Sequence, residues 1–97
     1  MNLQEIKQTL KERMPEIREK FGVKNLYIFG SYVRGEQTPE SDIDILVEFE
    51  KGKKTFKNYI GLKFYLEELF GLKVDLVIKE AVRDELKKYI YSEAVNV

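Results

Sequence analysis

The sequence predicts a small α/β domain, α+β in its strand arrangement, with a mixed three-stranded sheet covered by helices. Two patterns carry that expectation. Apolar residues recur at spacings of three and four over residues 3–21, 55–70 and 82–94, whereas residues 23–29, 42–49 and 73–78 are short runs dense in Val, Ile, Leu and Phe. The two kinds of segment alternate, and alternation means a sheet with helices packed on it. A third observation sets the strand directions. Gly30-Ser31 closes the first strand, while Asp42 and Asp44 open the second. These residues meet only if strand 1 runs antiparallel to strand 2. A helical crossover then makes strand 3 parallel to strand 2 and brings Asp75 to the same edge.

Taken in order, Leu3, Ile6, Leu10, Met14, Ile17 and Phe21 form the inner stripe of an amphipathic helix. Pro15 removes a backbone donor within it, which predicts a kink or a break near Met14. Gly22 supplies a C-terminal cap, and Lys20 suits the negative end of the helix dipole. After the first strand, residues 32–35 predict one helical turn, and Thr38 and Pro39 mark residues 36–40 as an irregular loop. The second strand is apolar enough to be central and buried. Its period of two puts Asp42 and Asp44 on one face and Ile43, Ile45 and Val47 on the other.

A charged turn with Gly52 follows. Phe56, Tyr59, Ile60, Lys63, Phe64, Leu66 and Leu69 then fall in helical register behind a Thr55 cap, and Gly71 ends that helix. The aromatic residues Phe56, Tyr59, Phe64, Tyr65 and Phe70 read as core. The lysines at 51, 53, 54 and 57 read as a solvated loop. Residues 73–78 form the third strand, and the closing helix turns Leu86, Tyr89, Ile90 and Ala94 inward.

Composition narrows the chemistry. At 97 residues the chain reads as a single domain, residues 1–97, able to bury one core. Lys plus Arg and Asp plus Glu both number 17, giving no net charge. That balance argues against nucleic acid as a direct ligand and gives no pull toward an anionic membrane. The absence of Cys and His excludes disulfides, zinc sites of the Cys/His type and Ser-His-Asp or Cys-His catalysis. Any metal must be held by oxygen, which selects Mg²⁺ or Mn²⁺. Residues 1–8 carry Glu5 and Lys7 and no long apolar run, and nothing approaches the roughly 20 apolar residues of a membrane span. The expected location is cytoplasmic.

Asp42 and Asp44, two like charges side by side, repel unless a cation sits between them. With Asp75 they could hold two divalent ions, the clamp that stabilises entering and leaving oxygens in displacement at phosphorus. Asp75 could also accept the proton of the attacking hydroxyl. Gly30 lets the backbone approach a phosphate, the Ser31 hydroxyl and the amides that follow donate to its oxygens, and Arg34 adds a forked donor. Each piece alone has an ordinary reading: Asp-x-Asp as turn or cap chemistry, Gly-Ser as a turn, Asp75 as a solvated or ion-paired strand residue, Arg34 as a surface ion pair. Their combination in compatible positions is what favours a site.

Gly30-Ser31, ten residues, then Asp42-Ile43-Asp44 resembles the signature of the DNA polymerase β-like nucleotidyltransferase superfamily. The string GSYVRGEQTPESDIDILVEF, with KVDLVIKE as the third-carboxylate strand and SEAVNV at the end, resembles its smallest branch, the minimal nucleotidyltransferases (MNT). These are antitoxins paired with HEPN-domain toxins in type VII toxin–antitoxin systems, usually encoded beside their partner. The resemblance implies Mg²⁺-dependent transfer of AMP from ATP to a hydroxyl, with pyrophosphate leaving. Gly30 and Ser31 match the nucleotide-phosphate loop, Asp42 and Asp44 the metal pair, Asp75 the third carboxylate and Arg34 a frequent arginine of the motif. Larger relatives carry an extra domain for the acceptor, and 97 residues leave no room for one. The acceptor is therefore expected to be a protein, a tyrosine of the HEPN toxin. Two alternatives stay open: an antitoxin that acts by binding alone, and a nucleotidyltransferase acting on RNA or a small molecule. A three-stranded sheet leaves edges that invite self-association.

Overall fold

The computed structural model describes residues 1–97. The first helix, α1 (Leu3–Phe21), starts at a reciprocal cap. The Asn2 side chain accepts from the Glu5 amide at 2.9 Å, and the Glu5 carboxylate accepts from the Asn2 amide at 3.0 Å. Of the expected kink or break at Pro15, the break does not occur: α1 is continuous from Leu3 to Phe21. Pro15 and Lys11, whose carbonyl loses its donor, both lie on the exposed side, where water serves that carbonyl instead. Gly22, left-handed at φ 68°, ends the helix and turns the chain into β1 (Val23–Phe29).

One short turn of helix, α2 (Ser31–Arg34), follows β1, and an irregular stretch leads to β2 (Ile43–Phe49). Then come α3 (Phe56–Phe70), capped by the Thr55 side chain, and β3 (Val74–Ile78). A 3₁₀ turn, Lys79–Ala81, connects β3 to α4 (Asp84–Glu93), and β4 (Val95–Asn96) closes the chain. The sheet order is β3-β2-β1-β4. Strand β1 is antiparallel to β2, and β3 is parallel to β2, as the placement of the polar residues required.

The sheet has four strands where the sequence predicts three. Strand β4 pairs antiparallel with β1 through Tyr27–Asn96 and Ile28–Val95, and the Val97 amide donates to the Leu26 carbonyl at 3.0 Å. It covers the β1 edge that the three-stranded arrangement would have left open.

The two faces of the sheet are covered unequally. On one, α1 and α3 pack Ile6, Leu10, Ile17, Leu62 and Leu66 against Leu26, Ile28, Ile43, Ile45 and Val47, all fully buried. The other face holds only Phe29, Leu46 and Val82, with Ile90 and Ala94 of the C-terminal segment laid against them. Four residues expected in the core lie elsewhere. Phe56 and Phe64 stand out from α3, 79% and 61% exposed, because its buried stripe is Leu62, Leu66 and Phe70. Leu86 and Tyr89 likewise face outward on α4, which uses only Ile90 to touch the sheet.

Candidate active site

The site lies on the thinly covered face, where β1 ends and β2 and β3 begin. In the sheet register Asp44 is opposite Phe29 on one side and Asp75 on the other. Alternation along the strands puts the two carboxylates side by side on that face. Asp44 is half-buried, Asp75 exposed. Asp42, expected on β2, immediately precedes it and is also exposed. A turn just before it has the Thr38 amide donating to the Ser41 hydroxyl at 2.8 Å and the Ser41 amide to the Thr38 carbonyl at 3.0 Å.

Gly30 closes the site on the β1 side. Its φ of 81° and ψ of −152° lie in a region that essentially only glycine occupies. A Cβ there would stand 2.0 Å from Asp44 Oδ2. The Gly30 backbone therefore rests directly against the carboxylate, which brings the start of α2, with Ser31, next to it.

These contacts perturb Asp44. Burial, foremost, then the charge of Asp75 and a proton shared with it, and then the charge of Asp42, push the Asp44 carboxyl up to about 6. Arg34 opposes the rise. A carboxyl raised in this way is a place where positive charge is missing. The donor set fits a hard divalent ion, being carboxylate oxygen throughout. The fit is incomplete, since no three carboxylates are gathered into a ready-made cation cage. Asp44 and Asp75 form the close pair, and Asp42 contributes its charge from the entrance of β2.

Arg34 is held away from a purely phosphate-directed role. Its Nε donates to Glu36 Oε1 at 2.8 Å, and its Nη1 to both carboxylate oxygens of Glu93, at 2.8 and 3.1 Å. The ion-pair reading of Arg34 is thus realised here, and both carboxylates raise its pKa further. Sequence reasoning missed Glu93. It is 59 positions away, and only the folded C-terminal helix brings it beside α2.

The family model described as nucleotidyltransferase domain matches residues 4–97. The chain belongs to that family. This nucleotidyltransferase is 45% identical over 97 residues to the protein adenylyltransferase MntA of Thermococcus cleftensis, covering 100% of this chain and 97% of the relative. It is also similar to a solved minimal nucleotidyltransferase, 32% identical, with a TM-score of 0.82 and coverage of 100% and 97% of the two chains. A more distant likeness, 20% identical with a TM-score of 0.64, is to a structure of a tri-AMPylated Shewanella oneidensis HEPN toxin in complex with MNT antitoxin. It covers 92% of this chain and 69% of that one, and at that identity it bears on the fold alone.

Proposed function

We propose that this nucleotidyltransferase transfers AMP from ATP to a tyrosine hydroxyl of a HEPN-domain toxin and thereby acts as its antitoxin. The single observation that carries the reading is the Asp44–Asp75 pair packed against Gly30, with Asp44 raised to about 6. Identity of 45% to a protein adenylyltransferase supports both the adenylyl donor and a protein as acceptor.

In the proposed reaction the Gly30-Ser31 turn admits the triphosphate, because no Cβ intervenes between backbone and phosphate. The tyrosine oxygen attacks the α-phosphorus in line, forming a new P–O bond as the bond to the β-phosphate breaks and pyrophosphate leaves. Asp75, exposed at the edge of the sheet, accepts the tyrosine proton. Asp42, Asp44 and Asp75 would hold Mg²⁺ (Mn²⁺ serving as a substitute), which when bound supplies charge to the phosphate oxygens. Arg34 reaches those oxygens only by releasing Glu93.

The test is incubation with Mg²⁺, α-labelled ATP and a candidate HEPN-domain partner. Label should move to the toxin, and Asp42→Ala and Asp44→Ala should each abolish it. Transfer that survives both substitutions would refute the assignment of the site.

A further inference from the structure

Strand β3 is an edge strand, and its free side is treated in two different ways. The Ile43 amide donates to the Lys73 carbonyl at 3.0 Å, so the odd-numbered residues of this segment face β2 and the even-numbered ones face outward. At the first two outward positions α3 supplies partners. The Val74 amide donates to Glu67 Oε2 at 3.0 Å, and the Tyr59 hydroxyl donates to the Leu76 carbonyl at 2.6 Å. Beyond Leu76 that cover gives way to an open cleft of about 550 Å³, lined chiefly by Phe56, Tyr59, Leu76, Val77, Ile78 and Ala81. Its lining is mostly apolar, and Phe56 stands 79% exposed at its mouth.

Lys54 forms a cationic rim on it, and three more lysines lie within three residues of Lys54 in the sequence. Lys51, Lys53, Lys54 and Lys57 are all exposed, and Lys54 lines the cleft. The ion pairs of the protein are formed by Arg13, Arg34, Arg83 and Lys87, so these four lysines have no carboxylate partner. With Glu50 as the one carboxylate in residues 50–57, the segment carries a local excess of positive charge in a chain of zero net charge.

The position relative to the site gives the surface a purpose. Val77, in the cleft, is two residues from Asp75 on the same strand, so their side chains share a face roughly 7 Å apart. Gly30 and Ser31 approach Asp44 from the opposite, β1 side. A donor nucleotide lying along the Gly-Ser turn leaves the β3 side as the approach for the acceptor.

We propose that this cleft and its lysine rim are the docking surface of the acceptor protein, which brings an acidic segment carrying an apolar side chain. The inference rests on the protein-acceptor reading above and adds the place and chemistry of recognition. Unpaired lysines call for carboxylates, and the apolar lining calls for an apolar anchor. Single-stranded nucleic acid is the poorer match, since base stacking needs a series of aromatic faces and the cleft mouth offers one exposed ring.

The experiment measures affinity between the chain and the candidate HEPN-domain partner used in the transfer assay, at low and at high salt. Phe56→Ala should weaken binding by roughly 30-fold, as loss of an aromatic contact buried on association does. The triple variant Lys51→Glu, Lys54→Glu, Lys57→Glu should weaken it at least about tenfold and flatten its salt dependence. Lys53 is left in place because its stem packs over Gly22. Lys11→Glu, on exposed α1, should bind as the unaltered chain does. Far-ultraviolet circular dichroism checks that each variant folds. If both cleft variants bind as tightly as the unaltered chain, the docking surface is wrong while the acceptor reading stands. If the unaltered chain does not bind the HEPN-domain protein, both fall. If a mixed-sequence single-stranded RNA binds in a lysine-dependent way and the protein does not, the surface belongs to nucleic acid and the proposal is overturned.

Discussion

Replacing Asp44 by Asn should stabilise the fold in the absence of divalent ions. The substitution keeps the shape of the side chain and removes its charge. In the unfolded chain the Asp44 carboxyl titrates near 3.8, and in the folded chain near 6, because burial and the carboxylates of Asp75 and Asp42 disfavour its ionised form. The folded state therefore holds the proton more tightly. Its contribution to stability is fully present below pH 3.8 and is lost as the pH rises toward 6, beyond which it stays lost. At about 1.4 kcal/mol per pKa unit the gross cost of the ionised form is roughly 3 kcal/mol. Asp44 is only half-buried, so solvent screening reduces this to about 1–2 kcal/mol. Asp44→Asn should recover that amount at pH 7. For a domain of this size it corresponds to a rise in melting temperature of roughly 4–12 °C. Thermal unfolding followed by circular dichroism in EDTA, from pH 3.5 to pH 7.5, reads it out. The unaltered chain should lose stability between about pH 4 and 6 in excess of the variant. Added Mg²⁺ should raise the melting temperature of the unaltered chain alone. A variant no more stable than the original at pH 7, with the same pH profile, would show that Asp44 is not under electrostatic strain.

Two further outcomes test the packing that sets the site. Gly30→Ala forces an unfavourable backbone conformation and places a methyl group 2.0 Å from Asp44 Oδ2. It should cost about 2–3 kcal/mol in urea unfolding and abolish adenylyl transfer, and activity within tenfold of the original would show that the turn does not need to touch Asp44. Leu46→Ala removes the fully buried side chain beneath Phe29 and Val82. It should cost about 2–4 kcal/mol and speed amide exchange in α4 ahead of α1, whereas uniform acceleration would show that the small cluster does not anchor the C-terminal helix.

What the sequence revealed and what it hid divide along a physical line. The stripe from Ile6 to Phe21, the strand directions and the Gly30–Asp44 neighbourhood are encoded in local spacing. Each depends on residues close in the chain or on costly side chains that have few reasons to cluster. The missed features depend on distant packing. Strand β4 has two residues, too few for period two to register, and exists because β1 offers it an edge. Phe56 and Phe64 match a helical period as well as Leu62 does, and only the rotation of α3 against α1 decides which face is buried. Pro15 does not end α1, because it and Lys11, whose carbonyl it deprives of a donor, both lie on the exposed side of the helix.

The unequal covering of the sheet connects stability to chemistry. One face carries the large core under α1 and α3, enough apolar burial to hold the strands in register without help from the other side. The second face can then leave Asp44 and Asp75 adjacent, a placement that costs stability and would be hard to keep in a fold needing both faces to survive. Helix α4 covers only Phe29, Leu46 and Val82, and its last residue, Glu93, reaches across to hold Arg34 at the rim of the site. The same helix that completes the smaller core thus sets the resting position of the one arginine beside the carboxylates. Its exposed Leu86 and Tyr89 leave it lightly anchored. On the proposed reading, a nucleotide that draws Arg34 to its phosphates has to break both contacts with Glu93, and so couples the site to α4.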